Sequence, residues 1–124
     1  MNNGFVYLAV PYTSPDPAVM QYRYDMVNLA AGKLLQEGHA VYSPISQTHV
    51  IASVCDLPKE WAFWRRMDEE FLACCRELAV LQLPGWTESI GVQDEMAYAT
   101  EYQIPITFLD PEIYCKEPKK VGQP

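Results

Sequence analysis

Apolar and polar positions follow two rhythms along this chain. Residues 5–10, 40–43, 78–83 and 104–109 are short runs dominated by apolar side chains, as expected of strands covered on both faces. Between the first two runs, Val19, Tyr22, Met26, Ala30 and Leu34 recur at intervals of 3 and 4, one face of a helix. Asp16-Pro17 starts that helix, with Asp as cap and Pro at the first helical position, and Gly38 ends it. A second helix is expected over residues 59–77, with Trp61, Trp64, Phe71, Leu72 and Cys75 on one face and Arg65, Arg66, Glu69 and Glu70 on the other. A third begins near Gly91 and runs to about Gln103, with Val92, Ala99 and Tyr102 along its apolar side. Pro105 falls near the start of the fourth strand, where a missing N–H is tolerable. Asp110-Pro111-Glu112 then turns the chain away. Residues 44–58 show no clear period and are expected to form a loop, functional or mobile at that length. Ser46, Gln47, Thr48 and His49 lie in it; His49 is either a ligand contact or a structural histidine.

Alternating strands and helices predict the α/β class: a single-domain Rossmann or flavodoxin-like doubly wound sandwich, with a mostly parallel sheet of four to five strands. A strand order of 2-1-3-4 with right-handed crossovers places the switch point between the first and third strands. The loop after Val10 then faces the loop before Glu95 across a crevice. The domain is expected over residues 1–115, followed by a loose tail over residues 116–124 that is polar and rich in Pro and Lys. There is no internal repeat.

Two acids interrupt the apolar faces. Glu95 falls on the same side as Val92 and Ala99, in the first turns of a helix that follows a strand. The helix N-terminus favours its ionised form, which makes it a candidate nucleophile; the alternatives are a rim position or a cap of its own helix. Asp68 stands four residues after Trp64 and three before Phe71, where a hydrophobic side chain would pack better. It is a site acid, or else the partner of a cation or a cap for a neighbouring element.

Length and charge narrow the classes of function. At 124 residues the chain has room for one modest core. A net charge of −7 argues against a nucleic-acid polymer or an anionic membrane surface as partner, while leaving room for a phosphate held by backbone amides. No apolar run approaches 18 residues, so no transmembrane helix is expected. A basic N-terminal region followed by an apolar core is lacking, so no secretory signal is expected. Cys55, Cys74, Cys75 and Cys115 contain no CxxC pair, and reduced thiols in a cytoplasmic protein are the expectation. His39 and His49 form no spaced set with them, so neither a structural metal nor a cofactor is expected.

Tyr7-Leu8-Ala9-Val10-Pro11-Tyr12 at the first strand, Asp68 on the second long helix, and Ser89-Ile90-Gly91-Val92-Gln93-Asp94-Glu95 before Met96-Ala97-Tyr98-Ala99 together resemble the nucleoside 2-deoxyribosyltransferase superfamily, closest to its DUF1937 branch. The resemblance covers most of residues 5–110. It implies that Glu95 attacks the anomeric carbon of a nucleoside or nucleotide to form a glycosyl-enzyme intermediate, and that water or a second base then takes the sugar. Tyr7 would position the nucleophile, and Asp68 would contact the substrate and help protonate the leaving base. The Ser-x-Gly-Val-x-x-Glu pattern from Ser89 is similar to that of nucleoside 5′-phosphate N-hydrolases, and implies a phosphate near Ser89 and Gly91. Pro11, Tyr12, Thr13, Ser14 and Trp86 would complete the substrate contacts, Tyr12 as a stacking ring. Two departures stand out: Pro11 occupies a position where those hydrolases carry Ser, with no Arg following, and Glu88 sets a negative charge beside the phosphate position. The resemblance further implies a homo-oligomer, dimer or tetramer, for which Trp61, Trp64 and Phe71 offer aromatic surface.

Overall fold

The computed structural model describes residues 4–117. The elements are β1 (Val6–Ala9), α1 (Pro17–Gln36), β2 (Val41–Tyr42), α2 (Pro44–Cys55), α3 (Trp61–Leu72), β3 (Glu77–Leu81), α4 (Ile90–Glu101), β4 (Ile106–Leu109) and α5 (Pro111–Tyr114). All strand pairings are parallel, and the sheet runs β2-β1-β3-β4. The expected α/β class and strand order are therefore the observed ones.

Period-two alternation in the central strands divides the core in two. Val6 and Leu8 of β1 and Ala79 and Leu81 of β3 pack against Val27, Ala30, Ala31 and Leu34 of α1. Tyr7 and Ala9, with Leu78 and Val80, face the opposite way onto Leu72 of α3 and onto Val92 and Ala99 of α4. Both sheet faces are covered, which is why β1 and β3 are apolar at nearly every position. This division sends the Tyr7 side chain to the face that carries α3 and α4.

Helix α1 starts as its sequence predicts, with the Asp16 side chain accepting from Ala18 N at 2.9 Å and Pro17 at the first position. It closes before Gly38, whose φ of +94° suits glycine. The expected loop over residues 44–58 is instead mostly α2. Ser43 and Pro44 are its cap and first residue, and Asp56 ends it at a left-handed φ of 53°. Its buried stripe is Pro44, Thr48 and Ala52, at intervals of four; a proline, a threonine and a small residue leave no hydrophobic period to read. Helix α3 is shorter than expected: the chain leaves it after Leu72, and residues 73–76 turn into β3, which begins at Glu77. Two stripe residues also differ from expectation, since Tyr22 is 51% and Tyr102 60% exposed. The segment after Asp110 is a one-turn helix capped by the Asp110 side chain.

The four cysteines are free, with Cys55 and Cys74 exposed. Among the described residues no helix is long and apolar enough to cross a membrane. Most of the expected tail, residues 118–124, lies outside the described residues.

One side chain braces the loops at the carboxyl ends of β1 and β3. Arg23 of α1 donates through Nη1 to the carbonyls of Tyr12 and Thr13 and through Nη2 to that of Pro84, each at 3.2 Å. Gly85 follows at a φ of +95°, and a Cβ there would stand 2.6 Å from Arg23 Nη2. Gly85→Ala is therefore expected to cost about 1–2 kcal/mol, from left-handed strain and a displaced guanidinium. Urea unfolding of the pair of proteins measures it, and equal midpoints would show that the brace gives way freely.

Candidate functional site

Glu95 is buried by the same periodicity that packs its helix. Val92, Glu95 and Ala99 are the buried residues of α4, spaced at 3 and 4. Ser89 caps the helix, its Oγ accepting from Val92 N at 3.2 Å. Glu95 thereby meets β1, where the Tyr7 hydroxyl donates to its Oε2 in a buried hydrogen bond. Asp68 arrives from α3, only 4% exposed. The two helices are tied beside it, because the Trp61 indole N–H donates to Asp94 Oδ2 at 2.7 Å.

Asp68 and Glu95 lie at the wall of one cleft of about 310 Å³. The loop after β1 contributes Val10, Tyr12 and Thr13, and the loop and first turn before Glu95 contribute Glu88, Ser89, Ile90 and Gly91. The far wall comes from α2, with Pro44, Ile45, Thr48 and Ala52, and from Trp61 and Trp64 of α3. Among the described lining residues Lys59 is the one cation, against Glu60, Asp68, Glu88 and Glu95. The cleft is thus aromatic and apolar in its walls and negative in its charged groups. Among the described residues no three His, Cys, Asp or Glu side chains stand together as a metal site.

A family model, the domain of unknown function DUF1937, matches residues 4–110. The chain belongs to the DUF1937 family. The match takes in all four strands, α1 to α4 and every residue of the cleft. No curated protein matches the chain.

Within this DUF1937 domain the expected site residues separate into two groups. Glu95, Asp68, Ser89, Gly91, Tyr12 and Thr13 line the cleft, and Tyr7 stands directly behind Glu95. Pro11, Ser14, Trp86 and His49 do not line it. Pro11 is fully buried. The Ser14 hydroxyl accepts from Asp16 N at 3.1 Å, ahead of α1. Trp86 packs against Phe108, with ring centroids 5.6 Å apart, on the face of the sheet that carries α3 and α4. His49 stacks on Tyr24 at 4.1 Å, and its Nδ1 is 2.6 Å from the Tyr12 hydroxyl, so it holds a cleft residue in place. Trp61 and Trp64, expected to offer aromatic surface for self-association, line the cleft; Phe71 stacks flat on Tyr42 at 4.0 Å. The α2 wall had no sequence signal beyond Ser43-Pro44, a cap followed by a first-turn proline. Of Ser46, Gln47, Thr48 and His49, only Thr48 lines the cleft.

Burial governs the charge of the two acids. Removal from water pushes the Asp68 carboxyl from 3.8 up to about 7. Burial likewise raises Glu95 from 4.5 to about 8; the nearby Asp68 and Asp94 charges add to the rise, and the Tyr7 hydrogen bond opposes it. The expectation that the helix N-terminus keeps Glu95 ionised is therefore corrected. Glu95 is the sixth residue of α4, past the first turn to which the helix dipole is confined, and desolvation wins. Near neutral pH the pair retains a proton, held more firmly by Glu95 than by Asp68, and the Tyr7 hydrogen bond is the one contact that opposes this.

These shifts have a definite sign. Between about pH 4 and 8 the folded acids keep protons that the unfolded ones have lost, so their contribution to stability falls as pH rises through about 7 and 8. Glu95→Gln removes one of them. Its unfolding free energy is expected to improve relative to the parent by about 1–3 kcal/mol between pH 4.5 and pH 8.5. Denaturant titrations at both pH values measure the change, and a gap independent of pH would place the Glu95 carboxyl in the ordinary range.

Proposed function

We propose that this protein cleaves the N-glycosidic bond of a nucleoside or nucleoside 5′-monophosphate through a covalent glycosyl-Glu95 intermediate. The observation that carries this reading is the buried Tyr7–Glu95 hydrogen bond beside Asp68 in a single cleft. The residues that resemble motifs of the nucleoside 2-deoxyribosyltransferase superfamily support it: Tyr7, Asp68, Ser89, Gly91 and Glu95 fall on that cleft or directly behind it.

The chemistry asks the two acids for opposite states. The Glu95 carboxylate attacks the anomeric carbon as the bond to the base nitrogen breaks, and protonated Asp68 gives its proton to the departing base. Asp68, now ionised, takes a proton from water as that water attacks the sugar ester, which restores Glu95 as a carboxylate. The logic parallels that of retaining glycosidases. The Tyr7 hydroxyl stabilises Glu95 as attacking group and again as leaving group. Tyr12, Trp61 and Trp64 provide aromatic walls for a planar base. Hydrolysis is the favoured outcome, and exchange with a second base is the alternative. A 5′-phosphate would meet the amides at the start of α4 and Lys59, but also Glu60 and Glu88.

A second reading, a binding module for the same ligands without turnover, is favoured by one observation: burial holds the Glu95 carboxyl up to about 8, against its use as an anion in the empty cleft. Incubation with nucleosides and 5′-monophosphates, with and without a free acceptor base, separates the two. Release of base is expected, and Glu95→Gln is expected to reduce it at least about 1,000-fold while ligand still binds. Binding without base release from any of these substrates would favour the module; no binding at all would remove both readings.

Self-association belongs to the same proposal. Val54 at 80% exposed, Ile90 at 72% and Phe63 at 50% leave apolar side chains for a second copy, with Ile90 at the cleft itself. Sedimentation at micromolar concentration is expected to give a dimer or tetramer, and a monomer there would count against it.

A further inference from the structure

Among the described residues three buried side-chain atoms have no hydrogen-bond partner, Arg76 Nε, the Tyr42 hydroxyl and Asp68 Oδ1, and the last two lie on the face of the sheet that carries α3 and α4. Of these two, one is a donor and the other an acceptor. An unpaired group of either kind, taken out of water, costs about 1–3 kcal/mol. Each becomes intelligible as the other's partner.

The placement follows from the parallel register. Tyr42 of β2 stands opposite Tyr7 of β1, so the two side chains leave the sheet on one face, their rings 5.6 Å apart. Tyr7 reaches Glu95 on α4. Tyr42 is directed toward α3, where Phe71 stacks on its ring at 4.0 Å with the planes 8° from parallel. Phe71 is three residues beyond Asp68, hence on the same side of that helix. Phe5 meets the Tyr42 ring edge-on at 6.3 Å. The ring is held by three aromatic neighbours, and its hydroxyl lies close enough to Asp68 and Glu95 for their charges to act on it.

We propose that Tyr42 is a positioning residue for Asp68, its hydroxyl donating to Asp68 Oδ1 when that acid is ionised, as Tyr7 does for Glu95. Adjacent strands then supply one tyrosine to each buried carboxyl, through a single cross-strand pair. Burial, with the Asp68 and Glu95 charges adding, pushes the Tyr42 hydroxyl up to about 12, so it remains a donor throughout the range in which Asp68 titrates. The titratable groups that interact with Asp68 are Tyr7 from β1, Tyr42 from β2 and Glu95 from α4; Tyr42 is the neutral one of these without a partner of its own. The proposal stands on this geometry and not on the reaction assigned to the cleft.

Tyr42→Phe keeps the ring and its stacking and removes only the hydroxyl. Carbon-13 NMR titration of the side-chain carboxyls, with the Asp68 signal identified by its loss in Asp68→Asn, reads the effect. Loss of a donor to the anion is expected to raise the Asp68 midpoint by about half a unit or more, whereas a tyrosine that merely fills space leaves it unmoved. An unchanged or lowered midpoint overturns the proposal; a higher unfolding temperature would then accompany it, since phenylalanine removes an orphaned polar atom. Should Tyr42→Phe fail to fold, the Tyr42 hydroxyl proton of the unmodified protein decides. A slowly exchanging proton that is lost as Asp68 becomes protonated supports the pairing, and a fast-exchanging one at every pH overturns it.

Discussion

A tyrosine hydroxyl in the middle of β1 donates to a carboxylate on α4, and neither group reaches bulk solvent. The fold around the cleft depends on this contact. An acid taken out of water is costly unless something replaces the lost hydration, and one neutral donor replaces only part of it. The remainder appears as the raised carboxyls of Glu95 and Asp68. Hydrophobic packing elsewhere offsets the cost: Val92 and Ala99 flank Glu95 on the same stripe, and Leu72 stands one turn beyond Asp68, all fully buried. Among the described residues neither acid is in a salt bridge, and both are held in place by their helices.

Where local preference and tertiary burial agree, the sequence is sufficient to read the fold. The strands of both central positions, the α1 cap at Asp16-Pro17 and the parallel order all follow from period, caps and alternation. Glu95 and Asp68 are legible for the opposite reason. Each is an acid at a position where the period demands a hydrophobe, and such conflicts between local rule and burial concentrate at sites. Tyr7 could not be distinguished by pattern, since an aromatic ring on a buried strand satisfies both roles; only the resemblance singled it out.

The far wall of the cleft was illegible for a physical reason. Helix α2 buries Pro44, Thr48 and Ala52 and exposes Val50, Ile51 and Val54, which reverses the usual hydrophobic pattern. A helix that faces a cleft packs only lightly against the core, and small or polar side chains on that side leave space for a ligand. The same effect misleads at α3: Trp61 and Trp64 are aromatic residues at helical spacing, yet they border open space rather than core. Polarity marks core and solvent well, but it does not mark a concave surface, which borrows the residue types of both.

The composition of that concave surface constrains what can occupy it. Four acids against Lys59 make a cleft that disfavours anions, while the aromatic walls favour a flat, weakly hydrated ring. An occupant that displaces water from Asp68 and Glu95 also raises the cost of leaving both ionised, so one proton is retained between them most firmly when the cleft is full. The surroundings of the two carboxyls are unequal, since Glu95 accepts from Tyr7 and Asp68 Oδ1 accepts from no side chain among the described residues. The Tyr7 donor works against the burial that keeps Glu95 protonated, while Asp68 Oδ1 has no fixed partner, so a ligand that pairs with Asp68 shifts the balance between the two acids.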